Sequence, residues 1–283
     1  MKPLLKWVGG KRALLPELEK LLPNMDEIET YIEPFVGGGS MFFHVRDTQH
    51  TMCHVLCDTN KRLINLYRNI KRIPDDVIYN HRNLVEHYRS LTTEGERRDL
   101  YLTIRDMFSE TEGSLNAAQL LFLNKTCFNG LYRVNKDGHF NTSFGRYENP
   151  SFVDDEDILA ASKRLNNSVL MDTDFETTVC LADDKTFVYI DPPYIPVRDE
   201  GLREYYTAEG FTEQDHKRVA DMLKEFDRRG SKFILSMSDT PLAREIYSGW
   251  RTYEVEAPRK VAAKPSSRGS AKEIVVLNYI RGL

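Results

Sequence analysis

The chain has 283 residues, 41% hydrophobic and 29% charged, enough for one large α/β domain or for a core domain with an insertion. No apolar run approaches a membrane span, and the opening MKPLLKWVGGKR lacks the long apolar centre of a signal peptide, so a cytosolic protein is expected. The net charge of −4 weighs mildly against a nucleic-acid partner, yet two basic islands stand in this acidic chain: Lys61, Arg62, Arg68, Lys71 and Arg72, then Arg259, Lys260, Lys264, Arg268 and Lys272.

In chain order, KWVGGK (residues 6–11) precedes Leu14, Leu15, Leu18, Leu21 and Leu22 at helical spacing. A Gly-Gly pair before a helix leaves backbone N–H groups open to a ligand, with Trp7 and Lys11 beside it as a stacking surface and a cation. A plain tight turn is the competing reading. TYIEPFVGGGS (30–40) reads as a strand, a glycine loop and a helix from about Ser40. No Gly-Lys-Ser or Gly-Lys-Thr follows, which excludes a P-loop.

MCHVLCD reads as a second strand ending at Asp58, about twenty residues past the glycines, where nucleotide-binding α/β units place an acid on ribose hydroxyls. Asp58 is equally suited to capping the helix of Leu63, Leu66, Tyr67 and Ile70. His50, Cys53, His54 and Cys57 cluster nearby, but strand alternation splits them between faces, so metal binding is the lesser reading. The four cysteines, with no CxxC pair, are expected as reduced thiols. Since no GxGxxG is present, the ligand expected is an adenosine without phosphates, a description that S-adenosylmethionine fits.

From about 60 to 165 the pattern is helical, with apolar spacing in 76–91, 98–108 and 115–123. One segment departs from it: NKTCFNGLYRVNKDGHFNTSFGRYENP (124–150), where Asp137-Gly138 between two alternating runs signals a hairpin. Arg pairs with guanine, Asn with adenine, and a two-stranded ribbon fits the major groove; a purely structural hairpin is the alternative. A helix at about 154–165 leads to SVLMDTDF (168–175), read as a strand ending in Asp174 and Phe175, a polar edge beside an aromatic that suits adenine.

VYIDPPY (188–194) follows. Its two prolines forbid both helix and central strand, so the chain leaves a sheet just after Asp191. A carboxylate, a stiff carbonyl and a tyrosine then stand at a strand's carboxyl end, where open α/β sheets bind ligands. Residues 195–210, with Tyr205, Tyr206 and Gly210, read as a mobile lid. Thr212 starts a helix that Gly230 stops, KFILSMS (232–238) is a buried strand, and Pro241 opens a short helix. WRTYEVEA and EIVVLNYI read as closing strands joined by the basic stretch 257–272 as a surface loop.

KWVGGK, EPFVGGG, the Asn/Arg/aromatic insert and DPPY, in this order, resemble the D12 class of DNA adenine-N6 methyltransferases, which includes Dam-like enzymes and the methylases of GATC restriction systems. The resemblance runs over essentially the whole chain, to the final LNY. DPPY-like tetrapeptides also serve cytosine-N4, RNA and protein-glutamine methylation; KWVGGK and NGLYRVN make the combination specific. It implies an α/β fold: a Rossmann-like methyltransferase sheet with helices on both faces, from 1–59 and 166–283. Into this is inserted a mainly helical DNA-recognition domain, 60–165, with its β-hairpin at about 130–145.

The resemblance implies S-adenosylmethionine as cofactor, lined by Trp7, Lys11, Gly37, Gly39, Asp58, Asp174, Phe175 and Asp191, with Asp58 on the ribose. Asp191, a carbonyl of Pro192 or Pro193, and Tyr194 would hold the target adenine, with no metal. Asn129, Leu131 and Arg133 match positions that contact GATC, and Asn135, Lys136 and Ser143 complete the expected reading set. Ser143 departs from the family, where Dam-like proteins often have proline. The implied partner is double-stranded DNA, with a cognate restriction endonuclease acting on the same site in a restriction system. No membrane or obligate protein partner is implied. An RNA or protein-glutamine methyltransferase and a non-catalytic DNA-binding regulator are the alternatives; a nicotinamide oxidoreductase is disfavoured by the glycine spacing.

Overall fold

The structure, a computed structural model, describes residues 1–7, 9–45, 52–195, 211–258 and 270–280. Among these, β1 (Thr30–Glu33), β2 (Cys53–Cys57), β3 (Ser168–Met171), β4 (Thr186–Ile190), β5 (Lys232–Ser238), β6 (Arg251–Pro258) and β7 (Ser270–Leu277) form one sheet. Its order is β3-β2-β1-β4-β5-β7-β6. The first five neighbours run parallel, and β7 lies antiparallel between β5 and β6. Parallel strands are covered on both faces, which is why TFVYI of β4 is apolar and buried throughout. Alternation sends Phe187 and Tyr189 into one core and Val188 and Ile190 into the other.

The first core is shared with α1 (Leu15–Glu19), α2 (Lys61–Arg72), α3 (Pro74–Ser90), α4 (Glu94–Met107), α5 (Gly113–Thr126) and α6 (Asp155–Leu165); the second lies under α7 (Glu213–Arg228) and α8 (Pro241–Ile246). α5 is buried nearly all round, as its run of apolar residues requires. Capping sets the helix starts. Asn60 accepts from the N–H groups of Arg62 and Leu63 at α2, and reciprocal boxes join Thr93 to Glu96 at α4 and Thr212 to Asp215 at α7. Among the described residues, no helix is long and apolar enough to cross a membrane.

Three predicted elements differ. The strand expected over 168–175 ends at Met171, because the Asp174 carboxylate accepts from the Glu176 N–H at 3.0 Å and caps a 3-10 turn, Phe175–Leu181. The helix expected from about Ser40 is a set of turns over Met41–Val45; residues 46–51, including His50, lie outside the described residues. The leucine-spaced helix is split into a 3-10 turn, Lys11–Ala13, and the short α1, with Pro16 in its first turn. The 195–210 lid beyond Ile195, and the loop holding Arg259, Lys260, Lys264 and Arg268, lie outside the described residues.

Much of the first basic island is structural. Arg62 donates to the carbonyls of Ser109 and Thr111, Arg68 to Leu170 and to Asp172, and Lys71 to the Ser168 carbonyl at 2.8 Å. These charges fasten α2 to the β3 edge and to the α4–α5 connection.

Candidate active site

Strand order reverses between β1 and β4, so the chain leaving their carboxyl ends splays apart and opens a crevice. A cleft of about 510 Å³ lies there. After β4, the prolines hold Asp191 at its rim. Lys11 Nζ lies 2.8 Å from Asp191 Oδ1, donates to the Gly9 carbonyl at 2.7 Å, and sits 4.2 Å from the centre of the Tyr194 ring. The Ser236 hydroxyl also donates to Asp191 Oδ1, at 3.1 Å, and pairs with the Tyr189 hydroxyl. Both Asp191 contacts therefore fall on one oxygen. Burial raises the Asp191 carboxyl above its ordinary value, and the Lys11 ammonium opposes that shift. The Tyr194 hydroxyl donates to Glu273 Oε2 on β7 at 2.6 Å, which fixes the ring.

The glycine loop after β1 forms the second wall. Gly37 has φ +46°, and a Cβ there would lie 2.9 Å from the Trp7 ring; one on Gly38 would come equally close to Trp7 Cβ. Trp7 thus lies directly on the loop backbone. Asp58, at the end of β2, accepts from the Gly37 N–H at 3.0 Å and the Asn60 N–H at 2.9 Å. It pins the loop and starts α2 at once, and burial raises its carboxyl. The third wall is aromatic: Phe35 packs on Phe175 at 4.9 Å and meets Phe211 edge-on. Arg218, from α7, lies 4.7 Å above the Phe175 ring and donates to Asp174 at 2.9 Å.

Trp7, Lys11, Gly37, Asp58, Asp174 and Phe175 all line this cleft, as do Asp191, Pro192, Pro193 and Tyr194. Gly39 does not; at φ +67° it faces Phe43 and shapes the loop from behind. Sequence reasoning missed Glu33, Phe35, Phe211, Arg218, Ser236 and Glu273. Glu33 and Phe35 were within reach, since EPF adjoins the glycines. Glu33 is 2% exposed, bonded to the Tyr31 hydroxyl, and burial pushes its carboxyl up to about 8. The cleft suits a nucleoside without phosphates: an aromatic slot edged by Asp174, and a loop that admits no side chain.

The expected reading residues lie off the cleft, on a hairpin looser than predicted. Its antiparallel pairing is confined to the isolated bridges Cys127↔Phe144 and Val134↔Phe140, because Asn129 and Gly130 take positive φ and break the ladder. Asn129 is exposed; Leu131 is half-buried and its carbonyl accepts from Thr142. Arg133 is exposed, steadied by two hydrogen bonds to Asn141. Asn135 accepts from the N–H groups of Asp137 and His139, which makes it the turn builder. Lys136 is exposed at the tip, and the exposed Ser143 accepts from the Phe128 N–H at 2.8 Å. Phe128, 52% exposed beside Asn129, is a further residue that sequence reasoning passed over.

Sheet order, glycine loop and acidic β4 end together define a Rossmann-like methyltransferase. The chain belongs to the D12 class N6 adenine-specific DNA methyltransferases, whose family pattern matches residues 7–261. It is 41% identical to the type II methyltransferase M1.LlaDCHI of Lactococcus lactis subsp. cremoris, over 99% of this chain and 96% of that one. Identity is 36% to the type II methyltransferase M.MjaIII of Methanocaldococcus jannaschii, over 99% of each chain. It is 31% to the DNA adenine methylase of Vibrio cholerae, over 98% of this chain and 95% of that one.

Proposed function

We propose that this enzyme methylates the N6 amine of adenine within GATC in double-stranded DNA, using S-adenosylmethionine, after the base has been flipped into the cleft. The observation that carries the reading is the meeting of Asp191, Lys11 and Tyr194 in one cleft with the glycine loop and the Asp174–Phe175 slot. Trp7, Gly37, Asp58, Asp174 and Phe175 would hold the cofactor, which supplies an electrophilic methyl group on a sulfonium. Adenine's amine is a weak nucleophile because its lone pair is delocalised into the ring. Asp191, with Oδ1 already engaged, offers Oδ2 to an amine hydrogen, and a carbonyl of Pro192 or Pro193 accepts the other. Together they draw the nitrogen toward tetrahedral geometry and stabilise its developing positive charge. Lys11 opposes the effect of burial on the Asp191 carboxyl, and Tyr194, fixed by Glu273, stacks on the base. The proton leaves after transfer, so no strong base is needed. Flipping costs roughly a few kcal/mol.

Within residues 60–165, Arg133, Asn129 and Leu131 on the hairpin are the proposed base readers, and exposed Phe128 is suited to wedging into the stack. Higher identity to the two type II methyltransferases supports a role beside a restriction endonuclease reading the same site. Labelled S-adenosylmethionine with GATC duplex, RNA and protein acceptors tests the reading. Label in N6-methyladenine of GATC alone is expected; folded enzyme that leaves this adenine unlabelled overturns it.

A further inference from the structure

Tyr132 sits between the two functional regions. It stands on the hairpin between Leu131 and Arg133. Arg133 is exposed, whereas Tyr132 is 8% exposed. The Tyr132 ring stacks on Trp7 with centroids 5.4 Å apart and planes 30° apart, and Phe140 packs against it at 5.5 Å. Burial pushes its phenol up to about 12, with the neighbouring Asn60 side chain opposing the shift. Trp7 and Asn60 both line the cofactor cleft.

Trp7 has no room to retreat toward the glycine loop, since even a methyl group on Gly37 or Gly38 would collide with it. Asn124 fastens the same route through the backbone. Its side chain accepts from the Lys6 N–H at 2.8 Å and donates to the carbonyls of Lys6 at 2.8 Å and Gly130 at 3.1 Å. The segment carrying Trp7 and the base of the hairpin are therefore clamped together. Among the described residues, the Tyr132 ring gives a change in Trp7 packing a direct route toward the reading side chains.

We propose that Tyr132 is a positioning residue that couples the two ligands: occupation of the cofactor cleft, felt through Trp7, sharpens sequence discrimination by the hairpin. This rests on the methyltransferase reading above. A group bound against the glycine loop confines Trp7, Trp7 confines Tyr132, and Leu131 and Arg133 lose freedom to adapt to a wrong base. By linkage, a cognate duplex tightens cofactor binding by the same factor.

The test uses the full chain, S-adenosylhomocysteine as an unreactive probe, and two duplexes, one with GATC and one with a single base pair changed. In the unaltered enzyme the probe is expected to raise the ratio of the two DNA affinities about tenfold. Tyr132→Phe, which keeps the ring, is expected to retain that gain. Tyr132→Leu is expected to cut it below about twofold while binding the probe alone within about threefold of the unaltered enzyme. An undiminished gain in Tyr132→Leu overturns the proposal, as does an unaltered enzyme whose ratio the probe leaves unchanged. Failure of the unaltered enzyme to bind the probe at all overturns the cofactor reading beneath it. A second measurement does not depend on the leucine variant folding. The chain has two tryptophans, so Trp250→Phe makes Trp7 the sole reporter. GATC duplex is expected to shift its emission more than the altered duplex does, and equal responses overturn the coupling.

Discussion

The cleft and the hairpin solve opposite problems with opposite means. In the cleft each acidic group is held from within the fold: Asp191 by Lys11 and Ser236, Asp58 by two backbone N–H groups, Asp174 by Arg218. Asp191 and Asp58 follow directly on β4 and β2, strands that are buried almost throughout. The hairpin has two isolated bridges where a ladder was expected, and Arg133 is exposed with Asn141 as its support. Charge that develops during a reaction is best met by dipoles fixed beforehand. Bases in a groove are instead met by side chains able to reach outward, with some ordering cost on binding. In the proposed function, chemistry falls to the sheet and base reading to the hairpin.

Removing one function without the other is the strongest way to break that comparison. Asp191→Asn keeps the shape and loses the charge. Methyl transfer is expected to fall about a hundred- to a thousandfold, while duplex affinity and preference for GATC change little. Single-turnover labelling beside gel-shift titration measures both; loss of preference in step with transfer would mean the two regions are not separable. Arg133→Ala is the mirror experiment. It should relax discrimination at one base pair by about 1–3 kcal/mol and leave the single-turnover rate on saturating GATC duplex nearly unchanged. Affinities for the three variants at each of the four positions would locate the pair.

The same contrast governs what could be read from the chain. VYIDPPY was legible because two prolines after a β-prone run leave few conformations, and the glycine loop because few other residues fit beside Trp7. The α7 start was equally plain from Thr212 and Asp215. Partners were another matter. Lys11 was recognised as a cation beside a cofactor, but its contact with Asp191 depends on the amino-terminal turn being carried to the end of β4. Ser236, Arg218 and Glu273 reach the site from β5, α7 and β7, and no local pattern marks them. Asp137-Gly138 advertises the hairpin's turn in the sequence, whereas the break at Asn129 lies in backbone angles. The Asn135 side chain, expected at the bases, is spent on the turn N–H groups.

Glu33 sharpens the comparison by asking what the rigidity of the cleft costs. It is buried beside the glycine loop, with a carboxyl raised from 4.5 to about 8 by lost hydration, against the help of the Tyr31 hydroxyl and the Phe42 N–H. A carboxyl with a raised folded-state value stays protonated in the native protein while the unfolded chain has already released its proton. Its stability contribution is therefore full below about 4.5 and declines as pH rises toward 8. One proton of difference gives a slope of about −1.4 kcal/mol per pH unit. His81 and His216, held down to about 4 by burial, act in the opposite sense, but only below their ordinary value of 6.5. The window from pH 6.5 to 8 isolates Glu33 from both. Glu33→Gln cannot ionise, so its urea midpoint should stay nearly level across that window while the unaltered enzyme loses stability. Parallel slopes in the two proteins would mean that Glu33 is already ionised at neutral pH, and that the cleft carries a further buried negative charge.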